Sequence, residues 1–270
     1  MSSIHNMKLN PSRESIYTVQ ALMRALDILD CFNYQNRVLR LSDVVNLTGL
    51  NKTTAKRLIS NLVARGYLQQ DPGSKSYQLG MRLFELGGIV FSSFSLRQAA
   101  AQPMNTLQQE THATVLLGVK IENHLVYVDK REGRDMRQIS SDIGWRRPLH
   151  FGMLGMVLMA YLTPGEVRRI LRQFPLAGHT PFSITDDDAF NLRLGKIREK
   201  GYVLEREEAV EGVLGIAAPV RDYARQVVAA LGIALFPVLS TLAARGQMEE
   251  FRQRLEMILR VALLCALAAR

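Results

Sequence analysis

The 270-residue sequence has little cysteine and no long apolar run. Its two cysteines, Cys31 and Cys265, both lie in apolar, helix-like segments, which excludes a disulfide framework and indicates a reducing compartment. The longest apolar stretches, residues 153–162 and 261–269, fall short of the roughly 20 residues that a membrane span needs. Residues 1–15 are polar and lack the apolar core of a signal peptide. These features predict a soluble cytoplasmic protein.

The sequence is also short of acidic residues. It carries 34 Lys and Arg against 25 Asp and Glu, a formal net charge of +9. Residues 1–80 alone hold ten of these bases and only five of the acids. A cationic excess that is densest in the first third of the chain favours an anionic partner for that part of the protein.

Residue patterns typical of metal sites and enzymes are missing. The five histidines form no H-x-x-x-H pair and the cysteines form no C-x-x-C pair, so we expect no metal site. The motifs G-x-S-x-G, G-x-x-x-x-G-K-S/T and G-x-G-x-x-G do not occur. The acidic run at Asp186, Asp187 and Asp188 is interpreted as the start of a helix rather than as a catalytic cluster. We therefore expect no cofactor and no enzymatic activity.

The first 80 residues have the pattern of three helices followed by a β-hairpin. Apolar residues recur at intervals of three and four over residues 16–34, and shorter helices are predicted at residues 41–48 and 52–65. Gly49 ends the second helix and Asn51 caps the third. Strands at residues 67–70 and 76–79 flank a turn-rich loop. This order predicts a winged helix-turn-helix, with a plain αα-hairpin at residues 41–65 as the alternative.

The third helix is cationic at its N-terminal end, and no acidic residue follows until the helix is past. Helix N-termini favour phosphate, and recognition helices present their N-terminal residues to the DNA major groove. Lys75, in the loop of the hairpin, is expected to lie near phosphate. The candidate DNA-binding residues are Asn51, Lys52, Thr53, Thr54, Lys56, Arg57 and Lys75.

The remainder of the chain predicts an α+β domain. A linking helix is expected at residues 81–98, with Leu83, Leu86, Val90 and Phe94 along one line. Beyond it, the pattern predicts a hairpin at residues 114–129, helices from residues 152, 164 and 186, strands at residues 215–220 and 226–235, and a final helix at residues 247–270. This predicts an antiparallel sheet flanked by helices, of the GAF or profilin-like kind. The expected domains are a winged helix-turn-helix at 16–80, a linker helix at 81–97 and an effector-binding and oligomerisation domain at 98–270.

Several segments resemble the IclR family of transcriptional regulators, and they follow the family's order along roughly residues 17–265. No single motif is decisive, but the ordered set is highly specific. The segments are VQALMRALDIL at 19–29, GLNKTTAKRL at 49–58, GYL at 66–68, DP at 71–72, YQLG at 77–80, GWRRPLH at 144–150, GYVLEREE at 201–208 and IAAPVRD at 216–222.

The resemblance implies a dimeric or tetrameric repressor or activator whose DNA binding is controlled by a small organic or aromatic acid. It also implies an effector pocket, for which the candidate residues are Leu149, Gly152, Met153, Leu154, Glu205, Gly215, Gly232 and Ala234. The family often has a polar side chain where this chain has Gly215, Gly232 and Ala234, and an aspartate where it has Glu205. We therefore expect a roomier, more apolar cavity with Glu205 at its mouth, and an effector larger than glyoxylate or pyruvate. The alternative is that neighbouring side chains refill the space.

Two hypotheses about function follow. The first is a ligand-responsive regulator that binds operator DNA, acts as a homodimer or a dimer of dimers, and represses a catabolic operon. The second is a sensor-like domain with an enzymatic or protein-partner output, whose N-terminal helices only dimerise. Sequence-specific, salt-dependent binding of the upstream DNA distinguishes the first from the second.

Overall fold

The computed structural model describes residues 18–133 and 141–235. The chain divides into two compact units between Ser93 and Phe94. The helix expected at residues 247–270 lies outside the described residues, as do residues 16 and 17. Each of the two units has the fold class that the sequence predicts.

The N-terminal unit is a winged helix-turn-helix followed by a fourth helix. The first helix is shorter than the expected residues 16–34 because Asn33 accepts hydrogen bonds from the N–H groups of Gln35 and Asn36, which turns the chain away from the helix axis. The elements are α1 (Gln20–Asp30), α2 (Leu41–Thr48), α3 (Lys52–Ala64), β1 (Leu68–Gln70), β2 (Tyr77–Leu79) and α4 (Met81–Ser93).

A small apolar core joins the three helices to the hairpin. Ile28, Val44 and Ile59 bring α1, α2 and α3 together over Leu68 of β1. The antiparallel pair β1–β2 gains a third extended segment where Leu39 and Tyr77 exchange backbone hydrogen bonds of 3.0 and 2.7 Å. The hairpin is therefore anchored to the start of α2, and its loop projects as a wing.

The prediction of a single linking helix at residues 81–98 is wrong, because two helices with a break at Phe94 occupy this segment. The Ser93 hydroxyl donates to the carbonyl oxygens of Ile89 and Val90 in the last turn of α4. Phe94 then has an extended backbone (φ −78°, ψ 91°), and a new helix, α5 (Ser95–Thr111), begins after it. The Phe94 side chain packs against the core of the C-terminal unit, so it does not continue the apolar line of α4.

The C-terminal unit is a six-stranded antiparallel sheet with strand order β5-β4-β3-β8-β7-β6. Its strands are β3 (Thr114–Ile121), β4 (His124–Arg131), β5 (Arg146–Pro148), β6 (Val203–Arg206), β7 (Leu214–Arg221) and β8 (Val227–Leu235). In the described part of the unit, three helices follow α5: α6 (Gly152–Ala160), α7 (Pro164–Gln173) and α8 (Asp187–Lys200).

Both faces of this sheet are covered. Leu116 in β3 packs into a core with α6, α7 and α8, whereas its neighbours Val115 and Leu117 join a second core with α5. This follows from the two-residue repeat of a strand, which sends successive side chains to opposite faces. An ion-pair cluster also connects α5 with β4: the buried Asp129 contacts Arg97 at 3.3 Å and Arg131 at 2.6 Å.

Candidate nucleic-acid interface and ligand pocket

The exposed face of α3 carries the cationic residues that the sequence singled out. Lys52, Lys56 and Arg57 are exposed, whereas Ala55 and Ile59 on the same helix are buried in the core. This separation follows from the 3.6-residue period, which gives one helix an apolar and a polar side. Because α3 contains no acidic residue, its exposed side presents uncompensated positive charge.

The first turn of α3 shows how the two small hydroxyl residues are placed. The Asn51 side chain accepts a hydrogen bond of 2.8 Å from the Thr54 N–H and so caps the helix, as expected. Thr53 is exposed and Thr54 is half-buried. Only Thr53 of the pair therefore stands on the outer surface beside Lys52.

The wing holds Lys75 in a fixed turn. Asp71 accepts hydrogen bonds of 2.6 Å from both the N–H and the hydroxyl of Ser74, and these bonds lower the pKa of the Asp71 carboxyl. Lys75 has a left-handed backbone (φ 57°) and an exposed side chain. The wing thus offers one cation on a rigid loop.

In the C-terminal unit, the structure brings together most of the predicted pocket residues. Glu205, Gly215 and Ala234 are direct cross-strand neighbours on β6, β7 and β8, and Gly232 lies two residues before Ala234 on β8. Gly152 lies at the start of α6, within reach of the Glu205 carboxylate. The remaining candidates, Leu149, Met153 and Leu154, are buried in the core between the sheet and α6.

The prediction of a roomier cavity at Gly215 and Gly232 is wrong, because neighbouring atoms fill the space at both glycines. A Cβ atom on Gly215 would lie 2.7 Å from the Met153 sulfur. A Cβ atom on Gly232 would lie 2.9 Å from the Ile216 carbonyl oxygen and 3.1 Å from a Leu154 methyl group. Close contacts of this kind leave no free volume at either glycine.

Glu205 does not stand at the mouth of a pocket as the sequence suggested. Its side chain is buried, with 5% of the residue surface exposed. Its Oε1 atom accepts a hydrogen bond of 2.8 Å from the Ala209 N–H, and the backbone of Met153 at the start of α6 supplies another. Burial raises the pKa of Glu205 to about 7, and the nearby Glu208 adds to the rise, while the two hydrogen bonds oppose it.

A small cleft lies beside Gly152, with a free volume of about 40 Å³. Such a volume admits about three water molecules but not a drug-sized ligand. His150 and His179 line it together with Ser183 and Glu208. Burial lowers the pKa of His150 to about 4, and repulsion from His179 adds to this effect, so His150 is neutral near pH 7.

The loop between α7 and α8, which closes one side of this cleft, was not identified from the sequence. The Thr180 hydroxyl donates to the Glu207 carbonyl oxygen and the Ser183 hydroxyl to that of Glu208, both at 2.6 Å. Arg193 of α8 forms an ion pair of 3.1 Å with the Glu208 side chain. These contacts join residues more than ten positions apart, and no local pattern signals them.

A cationic stack on the other side of the cleft was also missed. The Arg147 guanidinium lies over two aromatic rings, 4.3 Å from the centre of Trp145 and 4.6 Å from that of Phe151. Phe151 in turn meets His179 edge to face at 5.1 Å. The stack fixes the segment that leads from β5 into α6.

Within residues 18–133 and 141–235, no three His, Cys, Asp or Glu side chains are grouped closely enough to hold a metal ion. No helix in the described part of the chain is long and apolar enough to cross a membrane.

A winged helix-turn-helix with a cationic third helix, followed by a helix-flanked antiparallel sheet, defines a DNA-binding regulator with a sensor domain. The sequence matches the IclR helix-turn-helix domain over residues 21–72 and the C-terminal domain of the bacterial transcriptional regulator IclR over residues 89–262. The chain belongs to the IclR family of transcriptional regulators.

Relatives and solved structures agree with this assignment. The chain is 36% identical to the regulator XynR of Escherichia coli, over 88% of this chain and 93% of that protein, and 31% identical to KdgR of the same organism, over 82% and 84%. An IclR-type regulator from Alicyclobacillus acidocaldarius has the same fold, with a TM-score of 0.80 at 24% identity over 94% of this chain and 100% of that one. An IclR homolog from Microbacterium hydrocarbonoxydans, solved with 4-hydroxybenzoate, has a TM-score of 0.77 at 25% identity over 93% and 99%. The chain is thus a transcriptional regulator rather than an enzyme, which removes the enzymatic alternative.

Proposed function

We propose that this regulator is a cytoplasmic, ligand-responsive repressor of a catabolic operon, and that it binds operator DNA through α3 and the wing. The exposed cationic side of α3, with Lys52, Lys56 and Arg57 and no acidic residue, carries the proposal. Repression is the simpler output, because a protein seated on a promoter excludes other proteins without any further contact.

The length and shape of the α3 side chains suit two kinds of contact, one with the phosphate backbone and one with base edges. Arg57 is long and planar, so it suits a bidentate contact with guanine, worth about 1–3 kcal/mol of discrimination. Lys52 and Lys56 suit phosphate, and the short Thr53 suits a close phosphate or base-edge contact. Lys75 in the wing binds the phosphate backbone beside the major groove.

A gel-shift titration with the DNA upstream of the gene tests this assignment. We expect Arg57→Ala to weaken operator binding by about 5- to 150-fold and to relax sequence preference. Arg65→Ala is the matched control, because Arg65 is an exposed arginine at the opposite end of the same helix. Unchanged operator affinity in Lys52→Ala, Lys56→Ala and Arg57→Ala would show that α3 is not the recognition helix.

We further propose that the protein is at least a homodimer, since one recognition helix reads too few base pairs for specificity in a genome. The N-terminal unit carries large apolar side chains on its surface, which is typical of an interface with a second copy. Leu83 and Leu86 of the apolar line that the sequence predicts along α4 are half-buried, so the exposed apolar residues of this helix differ from that line. The exposed apolar residues of α1 and its flank and of α4 are Val19, Leu22, Leu26, Met81, Phe84, Ile89, Val90 and Phe91.

The proposed effector is a small organic or aromatic acid that binds between α6 and strands β6–β8. The related regulator solved with 4-hydroxybenzoate supports this class of ligand. Because Met153 fills the space at Gly215, an aromatic acid requires this flexible side chain to change rotamer. A thermal-shift screen of organic and aromatic acids, followed by gel shifts with each hit, tests both the ligand and the release of DNA.

A further inference from the structure

The Glu205 carboxylate lies at the first turn of α6. Besides its hydrogen bonds to the backbone of Ala209 and Met153, its Oε2 atom is 3.7 Å from the position of a Cβ atom on Gly152 and 3.4 Å from one on Gly215. The two glycines therefore leave space for a carboxylate beside the first N–H groups of α6. Such a position favours a negative charge, because the N–H groups of a first turn lack partners within the helix.

No cation neutralises Glu205 within the described part of the chain. Arg193 of α8 acts on its charge, but this guanidinium is paired with Glu208. Glu208 itself and the buried Tyr127 of β4 also act on the carboxylate, and neither carries a positive charge. His150 and His179 line the cleft beside Gly152, and His150 is neutral near pH 7. A second negative charge at this position would therefore meet an uncompensated carboxylate.

We infer that Glu205 acts as an internal stand-in for an effector carboxylate at the N-terminus of α6, and that an anionic effector binds there only when Glu205 is displaced or takes up a proton. This inference rests on the proposed effector site. It makes Glu205 the residue that sets the charge of the ligand: a hydroxyl or amine donor meets no repulsion from the ionised Glu205, whereas the binding of a carboxylate is coupled to the uptake of one proton. In that step Glu205 changes from carboxylate to carboxylic acid, the proton comes from solvent, and no covalent bond other than O–H is formed.

The first consequence is a pH dependence of carboxylate binding. Two carboxylates in contact cannot both be ionised at low cost, so binding follows the protonated fraction of Glu205. With a pKa of about 7, that fraction falls about tenfold between pH 6 and pH 8. The neutral variant Glu205→Gln keeps an oxygen for the Ala209 N–H, so its carboxylate binding is independent of pH and stronger at pH 8 than that of the native protein.

Isothermal titration of the full chain with sodium pyruvate and sodium benzoate at pH 6 and pH 8, in buffers of different ionisation enthalpy, tests the inference. We expect the native protein to bind carboxylate about tenfold more weakly at pH 8 and to take up nearly one proton per ligand there. Carboxylate binding that appears only in Glu205→Gln supports the inference equally. Glu205→Ala is the second variant should Glu205→Gln not fold. Glu211→Gln is the matched control, because Glu211 is an exposed acid of the loop after β6.

Three results would overturn the inference: binding by the native protein that does not change with pH, the same pH dependence in Glu205→Gln, or no binding of either carboxylate by any of these proteins. A gel shift with the upstream DNA, run on the same samples, keeps the two proposals apart. Proton-linked carboxylate binding without a DNA shift would reject the DNA-binding proposal alone. A DNA shift combined with pH-indifferent binding would reject only the role of Glu205.

Discussion

Lys75 in the wing is expected to contribute to DNA binding through its charge alone, and this contribution is separable from that of the recognition helix. Its backbone is left-handed, and lysine and glutamine pay a similar cost in that conformation, so Lys75→Gln removes the charge without a large change in strain. We expect weaker binding to all DNA sequences alike and a salt slope smaller by about 0.9. The measurement is a gel shift over a range of salt concentrations. Lys200→Gln, an exposed lysine of the other unit, should leave the slope unchanged.

Glu205 makes a second prediction at this scale, on stability. Its pKa of about 7 in the folded protein lies above the ordinary 4.5, so between these values the folded state binds more protons than the unfolded state. Stability contributed by this group is therefore lost as the pH rises through 4.5 to 7. We expect Glu205→Gln to be more stable than the native protein at pH 8, by on the order of 3 kcal/mol, and the difference to close at pH 4. Urea unfolding at both pH values measures it, and an equal difference at both would contradict the pKa shift.

The stability of a Gly232→Leu variant shows whether the space beside this glycine is filled. A larger residue would press on the Ile216 carbonyl and on Leu154, so Gly232→Leu should lower the free energy of unfolding by about 1–3 kcal/mol. Gly195→Ala in α8 is the control, because the nearest atom is 4.0 Å from its Cβ position and alanine favours the helix by up to about 1 kcal/mol. Thermal unfolding compares the two variants. An unchanged melting temperature for Gly232→Leu would mean that the expected cavity exists after all.

At the scale of the elements, the buried Asp129 of β4 helps to hold α5 against the sheet through its ion pair with Arg97. Asp129→Ala leaves Arg97 and Arg131 without their carboxylate, but both guanidiniums are partly exposed and can turn to water. We therefore expect a loss of about 1–3 kcal/mol, less than for a fully buried pair. Glu132→Ala, which removes an exposed partner of Lys130, should cost less than about 1 kcal/mol. Chemical unfolding of both variants checks the order.

The elements differ in how well the sequence predicts them. The hairpin predicted at residues 114–129 is observed as β3 and β4, with β4 extending to Arg131, because β-branched and alternating residues suit a strand wherever it lies. Strand β6 was missed, since its four residues become a strand through hydrogen bonds to β7 rather than through their own pattern. Most of α5 was missed as well; Pro103 interrupts its pattern, and packing of Met104 and Leu107 against the sheet stabilises the helix.

The candidate site was predictable in part, for a related reason. The family resemblance identified Glu205, Gly215 and Ala234, and antiparallel pairing does make them neighbours. The resemblance did not indicate that Met153 folds over Gly215 or that Glu205 turns inward to α6. The rotamers of Met153 and Glu205 depend on packing among α6, β6 and β7, and no local sequence pattern specifies such packing.

For the molecule as a whole, the exposed apolar residues of the N-terminal unit predict self-association. Phe84 and Val90 of α4 are 73% and 68% exposed, and covering them with a second copy removes apolar area from water. We expect a dimer at micromolar concentration by sedimentation, and a shift toward monomer with weaker operator binding when both residues are replaced by serine. Tyr223→Ser, a change at an 87% exposed aromatic of the other unit, is the control. Sedimentation of the native protein as a monomer would contradict the proposed dimer.

The stack of Trp145, Arg147 and Phe151 has an optical consequence for the whole protein. Trp145 is its only tryptophan, so the intrinsic emission above the tyrosine band comes from one indole. That indole contacts the Arg147 guanidinium, which also contacts Phe151, the residue directly before α6. A ligand that displaces Phe151 alters the stacking of the guanidinium and with it the intensity and wavelength of the emission. The chain thus carries a built-in fluorescent reporter of events at its sensor site, readable without any label.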